Sequence, residues 1–180
     1  MKLQLRYPDL PDLAACQIGS LFGLDSRDRP ILAAGMDVAS KRSEFCLSHV
    51  ENKYYCLDGE ASFNPFHCGQ YAILLCYLSN SISSMAPDAR TLADRVYFLN
   101  KILNCLDLFH EVQLPVVLFL DHPVGSVMGW ARYGDYFSFG QNCTLEIEDA
   151  EWQAWLGDGS NGSGQEPENE PGWAGQLVGC

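Results

Sequence analysis

From Pro8 to about Leu106, apolar residues recur every three or four positions, the spacing of amphipathic helices. "DLAACQIGSLFG", "GMDVASKRSEFCLSHV", "GQYAILLCYLSNSI" and "TLADRVYFLNKILNCLDLF" each carry the pattern. The last predicts one face made of Leu92, Val96, Leu99, Leu103 and Leu106, with Thr91 or a neighbour as N-cap. Between the second and third helices, "NKYYCLDGEASFNP" places strand-like aromatics before Asp-Gly, which predicts a small hairpin or turn. This half reads as a helical unit with one irregular insert.

At about Val112 the period changes. "VQLPVVLFLDHPVGSVMGWARYGDYFSFGQNCTLE" is rich in Val, Phe, Tyr and Gly and has no 3.6-residue repeat. Small and apolar residues recur there at six: Gly125, Ala131, Phe137 and Cys143 form one series, and Val127, Tyr133, Phe139 and Leu145 a second. A hexad repeat is the spacing of a parallel β-helix, in which stacked coils bury the inward series. Two or three ordinary short strands joined by glycine turns fit the same residues, and periodicity alone does not choose. From Glu146 the chain turns acidic, with a short helix or turn expected near Trp152 and Trp155, and from Gly157 onwards Gly, Ser, Asn, Glu and Pro dominate, a composition that buries too little apolar surface to order itself.

The apolar share of 47%, with 12% aromatic residues, suits a folded body of one domain or two small units. The net charge of -12 is unevenly spread: residues 146–180 hold eight acids and no base, and the remainder has 15 acids against 11 bases. No basic cluster is available for phosphate contacts, which argues against a nucleic-acid partner. Eight cysteines at 16, 46, 56, 68, 76, 105, 143 and 180 show no C-x-x-C spacing, so buried structural thiols are expected, not a metal site. "MKLQLRYPDLPDL" lacks the apolar stretch of a signal peptide, and the apolar run Ile73 to Leu78 is too short for a membrane span. The expectation is a cytoplasmic protein with no membrane partner.

The chemistry-bearing stretch is "FLDHPVGSVMG", where Asp121 and His122 follow the apolar run "VVLFL" and precede two glycines four residues apart. Near its ordinary pKa a histidine takes a proton from a hydroxyl at neutral pH, and a carboxylate on its other nitrogen fixes the tautomer. Neighbours on a strand face opposite ways, so Asp121 is expected to face substrate or backbone, leaving Asp107 and Glu111 as orienting candidates. The plainer reading is a polar strand end in which Asp121 starts a turn with Pro123. His67, after a proline at a helix start, reads as structural, and His49 and His110 read as helix-end residues that meet the dipole. Gly125, Gly129 and Gly134 are spaced for turns.

"LDHPVGSVMG" followed by "YGDYFSFGQNCTL" resembles the active-site coil of serine acetyltransferases, members of the hexapeptide-repeat acyltransferase family. "FNPFHCGQYAILLCYLSN" and "LADRVYFLNKILNCLDLFHEVQLP" are similar to the family's helical part, so the resemblance covers roughly residues 30 to 145. It implies an α+β chain, with an N-terminal α-helical domain over 1–111 and a short, incomplete left-handed parallel β-helix over 112–145, to which the composition adds a disordered acidic tail over 146–180. It implies His122 as the general base that lets an acceptor hydroxyl attack the thioester of acetyl-CoA. Asp121, Gly125 and Gln141 then lie at the acceptor, which is L-serine or a similar small molecule. No metal is needed, and a homo-trimer or higher homo-oligomer is expected.

Three departures accompany the resemblance. Trp130 stands where the family usually has a glutamate after the second glycine. Gln113 stands where the acid paired with the base is expected. Beyond Leu145 the family's further acetyl-CoA-binding coils give way to the acidic segment, which predicts a truncated or frame-altered homologue. Acyl transfer to a sugar or nucleotide-sugar acceptor is the chemical alternative. A non-catalytic homologue serving as an oligomerisation module is the other.

Overall fold

The computed structural model describes residues 1–3, 10–85, 87–131 and 133–145. The acidic segment from Glu146 onwards lies outside the described residues. The elements run β1 (Lys2–Leu3), α1 (Leu10–Phe22), α2 (Asp28–Ser48), β2 (Cys56–Leu57), β3 (Glu60–Phe63), α3 (Cys68–Met85), a 3-10 turn (Pro87–Ala89), α4 (Arg90–Asn104), β4 (Leu106–Leu108), β5 (Val117–Leu120), β6 (Ser126–Met128), β7 (Tyr136–Phe139) and β8 (Thr144–Leu145). The fold is mixed α and β.

Helix α3 is the core element because it is apolar on every side: Tyr71 through Leu78 and Ile82 are all buried. Helices α2 and α4 flank it, and α1 packs through Ala14 and Ile18. Gly35 lets α2 approach, since a Cβ there would stand 2.6 Å from Ile82 Cγ1. On α4, Leu92, Val96 and Leu99 are buried as the period predicts, but Leu103 is exposed and Leu106 belongs to β4. The helix stops because Cys105 enters the left-handed region at φ 53°, its N–H bonded to the Lys101 carbonyl. Thr91 lies inside α4, and the N-cap is Ala89, with no side-chain cap bond.

The predicted hairpin is present. Cys56 pairs with Ala61 and Leu57 with Glu60, and both turn residues, Asp58 and Gly59, have positive φ, as a type I′ turn requires. Strand β1 adds to β3 in parallel.

After α4 the chain alternates between two parallel sheets, one ordered β4-β6-β8 and the other β5-β7. Leu106 aligns with Ser126 and Val127 with Thr144, steps of 20 and 17 residues, while Val117 aligns with Tyr136, a step of 19. The hexad segment forms short strands that pair in parallel. Pairing begins at Leu106, ahead of the change in period at Val112. Ala131, Tyr133, Phe137, Phe139, Cys143 and Leu145 point inward as the two series predict. Gly125 and Val127 do not: Gly125 is an exposed turn residue at φ 73°, and Val127 is half-buried. A Cβ on Gly125 would stand 2.5 Å from Asn142 Oδ1, so this corner needs glycine.

One corner recurs from coil to coil. Cys105, Gly125 and Asn142 all have positive φ, and the Gly125 N–H donates to the Cys105 carbonyl while the Asn142 N–H donates to that of Val124. The buried Cys46 thiol fastens this stack to the helices, lying 3.2 Å from the Leu118 carbonyl oxygen and 3.4 Å from its nitrogen. The Tyr77 hydroxyl adds a bond of 3.0 Å to the Val116 carbonyl.

Candidate active site

Strand β5 ends at Leu120, and the next two residues are the Asp-His pair. The Asp121 N–H still bonds the Phe139 carbonyl at 2.9 Å, so Asp121 is held by the neighbouring coil. His122 then leaves the strand in the left-handed region, at φ 51°. A non-glycine residue there is strained, and such residues cluster at functional sites. Because the strand is over, the alternation expected for Asp121 and His122 does not apply. Asp121 Oδ1 lies 3.8 Å from His122 Nε2, with both side chains open to solvent (63% and 74% exposed). The distance is too long for a hydrogen bond but suits a charge pair once the imidazole is protonated.

Gly125 meets Asn142, the residue after Gln141, at a neighbouring turn. The Asn142 side chain and N–H lie against the Val124–Gly125 turn, and Ser126 Oγ donates to the Gly140 carbonyl at 2.6 Å. Gln141 is exposed beside that contact.

The two upstream acids have other bonds. Asp107 accepts from Tyr97 Oη and from Lys101 Nζ, each at 2.5 Å. Burial pushes its carboxyl up, but the hydrogen bonds from Lys101 and Tyr97 outweigh that and hold it below the usual range. Burial, then the bond to Asp107, raise the Tyr97 hydroxyl. Glu111 forms an ion pair with Arg90 at 3.0 Å. Gln113 is exposed, as is Trp130 at 58%.

His110 is not a helix-end residue: it follows β4, is buried, and its Nε2 meets Asp94 Oδ1 at 2.8 Å. His49 caps α2 as expected and stacks on Phe45.

His67 was expected to be structural, yet the fold brings it to the pair. It precedes α3, and Gly69 lets that helix start press against the end of β5. A Cβ on Gly69 would stand 2.5 Å from the Leu120 carbonyl oxygen, 3.0 Å from the Tyr55 hydroxyl and 3.5 Å from His67 Cε1. Burial lowers the pKa of His67, and the nearby His122 lowers it further, while a hydrogen bond to its own backbone and then Asp121 oppose both. Tyr55 is 1% exposed, its hydroxyl has no hydrogen-bond partner among the described residues, and burial raises its pKa. No sequence period links residues 55, 67 and 121; the signal available was a glycine in the first turn of an otherwise bulky helix.

A groove of about 320 Å³ lies elsewhere, between α2 and the approach to β5, lined by Lys41, Arg42, Phe45, Leu114, Pro115 and Val116. Among the described residues no group of three or more His, Cys, Asp or Glu is arranged to hold a metal ion. Nor is any helix among them long and apolar enough to cross a membrane.

No protein-family model matches the chain, and no curated protein does. Among solved structures it is similar to Neisseria gonorrhoeae serine acetyltransferase, at 21% identity and a TM-score of 0.46, covering 78% of this chain and 54% of that one. The same enzyme in complex with serine gives 21%, 0.47, 78% and 58%. Serine acetyltransferase from Brucella abortus strain S19 gives 16%, 0.43, 78% and 58%. The chain thus spans a little over half the length of these structures.

Proposed function

We propose that the Asp121–His122 corner is an acyltransfer site, with His122 as general base on an acceptor hydroxyl and acetyl-CoA as acyl donor. The observation that carries this reading is the pair itself: an open imidazole on a strained backbone, with a carboxylate 3.8 Å away at the end of a strand. His122 takes the hydroxyl proton as the oxygen attacks the thioester carbonyl. The tetrahedral intermediate then collapses, the carbon–sulfur bond breaks, and the thiolate leaves with the proton that His122 held. Asp121 stands 3.8 Å from the His122 ring while that ring carries the proton.

Asp121, Gly125 and Gln141 border the acceptor in this reading. Asp107 and Glu111 support the coil through Lys101, Tyr97 and Arg90. The two parallel sheets, with steps of 17 to 20 residues, support a left-handed parallel β-helix after a helical domain. Copies of the chain then assemble through adjacent β-helices, with acetyl-CoA supplied as a co-substrate.

L-Serine or a similar small hydroxyl compound is the leading acceptor. Trp130, exposed in place of a carboxylate, favours a sugar or nucleotide-sugar acceptor as the second reading. Thiol release from acetyl-CoA, measured across L-serine, homologous hydroxy amino acids and amino sugars, separates them. Turnover with the hydroxy amino acids alone supports the first reading, with amino sugars alone the second, and with neither sinks both.

A further inference from the structure

His67 lies 54 or more residues from the pair in sequence, yet the fold sets it against the same corner. One point beside Gly69 is within 2.5 Å of the Leu120 carbonyl oxygen, 3.0 Å of the Tyr55 hydroxyl and 3.5 Å of His67 Cε1, and Asp121 is bonded directly to Leu120. The His67 ring stands edge-on to Tyr55, with centroids 5.5 Å apart, and 6.1 Å from Tyr54. Its Nδ1 faces the Gln70 N–H at 3.4 Å as acceptor. With Nδ1 accepting from Gln70, the proton of the neutral ring is on Nε2. Beside it the Tyr55 hydroxyl is buried and has no hydrogen-bond partner among the described residues. Buried polar groups are nearly always satisfied, so an unused hydroxyl next to a half-buried imidazole, beside an exposed base, marks a place for a ligand atom.

We propose that His67 is an acceptor-binding residue of the Asp121–His122 site, a neutral imidazole that donates its Nε2–H to an oxygen of the acceptor. The division of labour follows from the surroundings. His122 is open to water and free to exchange protons, whereas His67 is half-buried, flanked by Tyr54 and Tyr55, and placed near a second imidazole and a carboxylate. Burial and the neighbouring His122 both oppose a charge on it, which keeps it a donor without making it an acid. The acceptor is therefore a compound with a second oxygen beside the reacting hydroxyl.

This inference rests on the acyltransfer reading, and two measurements keep the two apart. The first is NMR titration of the histidine rings. His67 is expected to titrate below an ordinary histidine, to move up in His122→Ala as a neighbouring positive charge is removed, and to move down in Asp121→Asn. A His67 midpoint indifferent to both substitutions overturns the proposal whatever the enzyme does. The second is steady-state kinetics. His67→Ala is expected to raise the acceptor KM by about tenfold, the loss of one good hydrogen bond, with kcat and the acetyl-CoA KM little changed. His67→Gln, which keeps an N–H donor, is expected to recover part of the loss. An unchanged acceptor KM in a folded His67→Ala protein overturns the proposal while leaving His122 as base. If the parent protein turns nothing over, the acyltransfer reading fails separately. His67 is then judged by whether L-serine shifts its ring resonances, and no shift overturns it.

Discussion

His122 carries a backbone penalty that its side chain does not repay in stability. At φ 51° an L-residue costs about 1–2 kcal/mol relative to one in an ordinary region. The imidazole is 74% exposed and its nearest charged neighbour is 3.8 Å away, so it offers little packing or pairing to offset that cost. Glycine escapes the penalty but has about 0.4–1 kcal/mol more freedom to lose from the unfolded chain than alanine. The difference predicts that His122→Gly is more stable than His122→Ala by about 0.5–1 kcal/mol. With a urea slope of about 2 kcal/mol/M, its unfolding midpoint stands about 0.3–0.5 M higher. Equilibrium urea unfolding of both proteins, followed by far-UV circular dichroism, measures this directly. An alanine protein as stable as the glycine one, at equal slopes, refutes the idea that the corner holds strain for the sake of the histidine.

Gly69→Ala is expected to lose about 1–3 kcal/mol, because the new methyl meets the Leu120 carbonyl oxygen at 2.5 Å and backbone yields less readily than a side chain; thermal unfolding reads it, and parental stability would contradict the close approach. The lowered pKa of His67 makes the unfolded chain bind more protons than the folded one below an ordinary histidine midpoint of about 6.5, so stability falls as pH drops through that value toward the folded midpoint. His67→Gln should flatten that slope in urea titrations between about pH 7.5 and 5, and an unchanged slope would count against it. Asp107→Asn is expected to keep thiol release within about twofold of the parent, since its carboxylate serves Tyr97 and Lys101; a loss of about a hundredfold would make it the orienting partner of the base after all.

What the sequence disclosed, and what it withheld, follows from how local each signal is. The Asp58–Gly59 hairpin was legible because a type I′ turn needs two residues that tolerate positive φ. The inward series from Ala131 to Leu145 was legible because parallel strands that bury one face repeat their apolar residues at a fixed spacing. Gly125 fits that period in sequence but serves a corner, and only the neighbouring Asn142 side chain reveals it. The end of α4 was illegible: Cys105 takes the left-handed conformation usually given to glycine, so the helical spacing ran on to Leu106. Asp121 and His122 could be picked out, but the relation between them could not, because alternation stops at Leu120. His67 and Tyr55 join the corner through tertiary packing alone, which no local pattern encodes.

In the proposed site His122 moves the proton in acyl transfer. The direct measurement is single-turnover thiol release from acetyl-CoA by the full chain with its best acceptor, compared with His122→Ala and His122→Gly. Release by the parent, lost by about a hundredfold or more in both substituted proteins while their folded spectra persist, is the predicted result. Equal release by all three would contradict it, and so would no release by the parent.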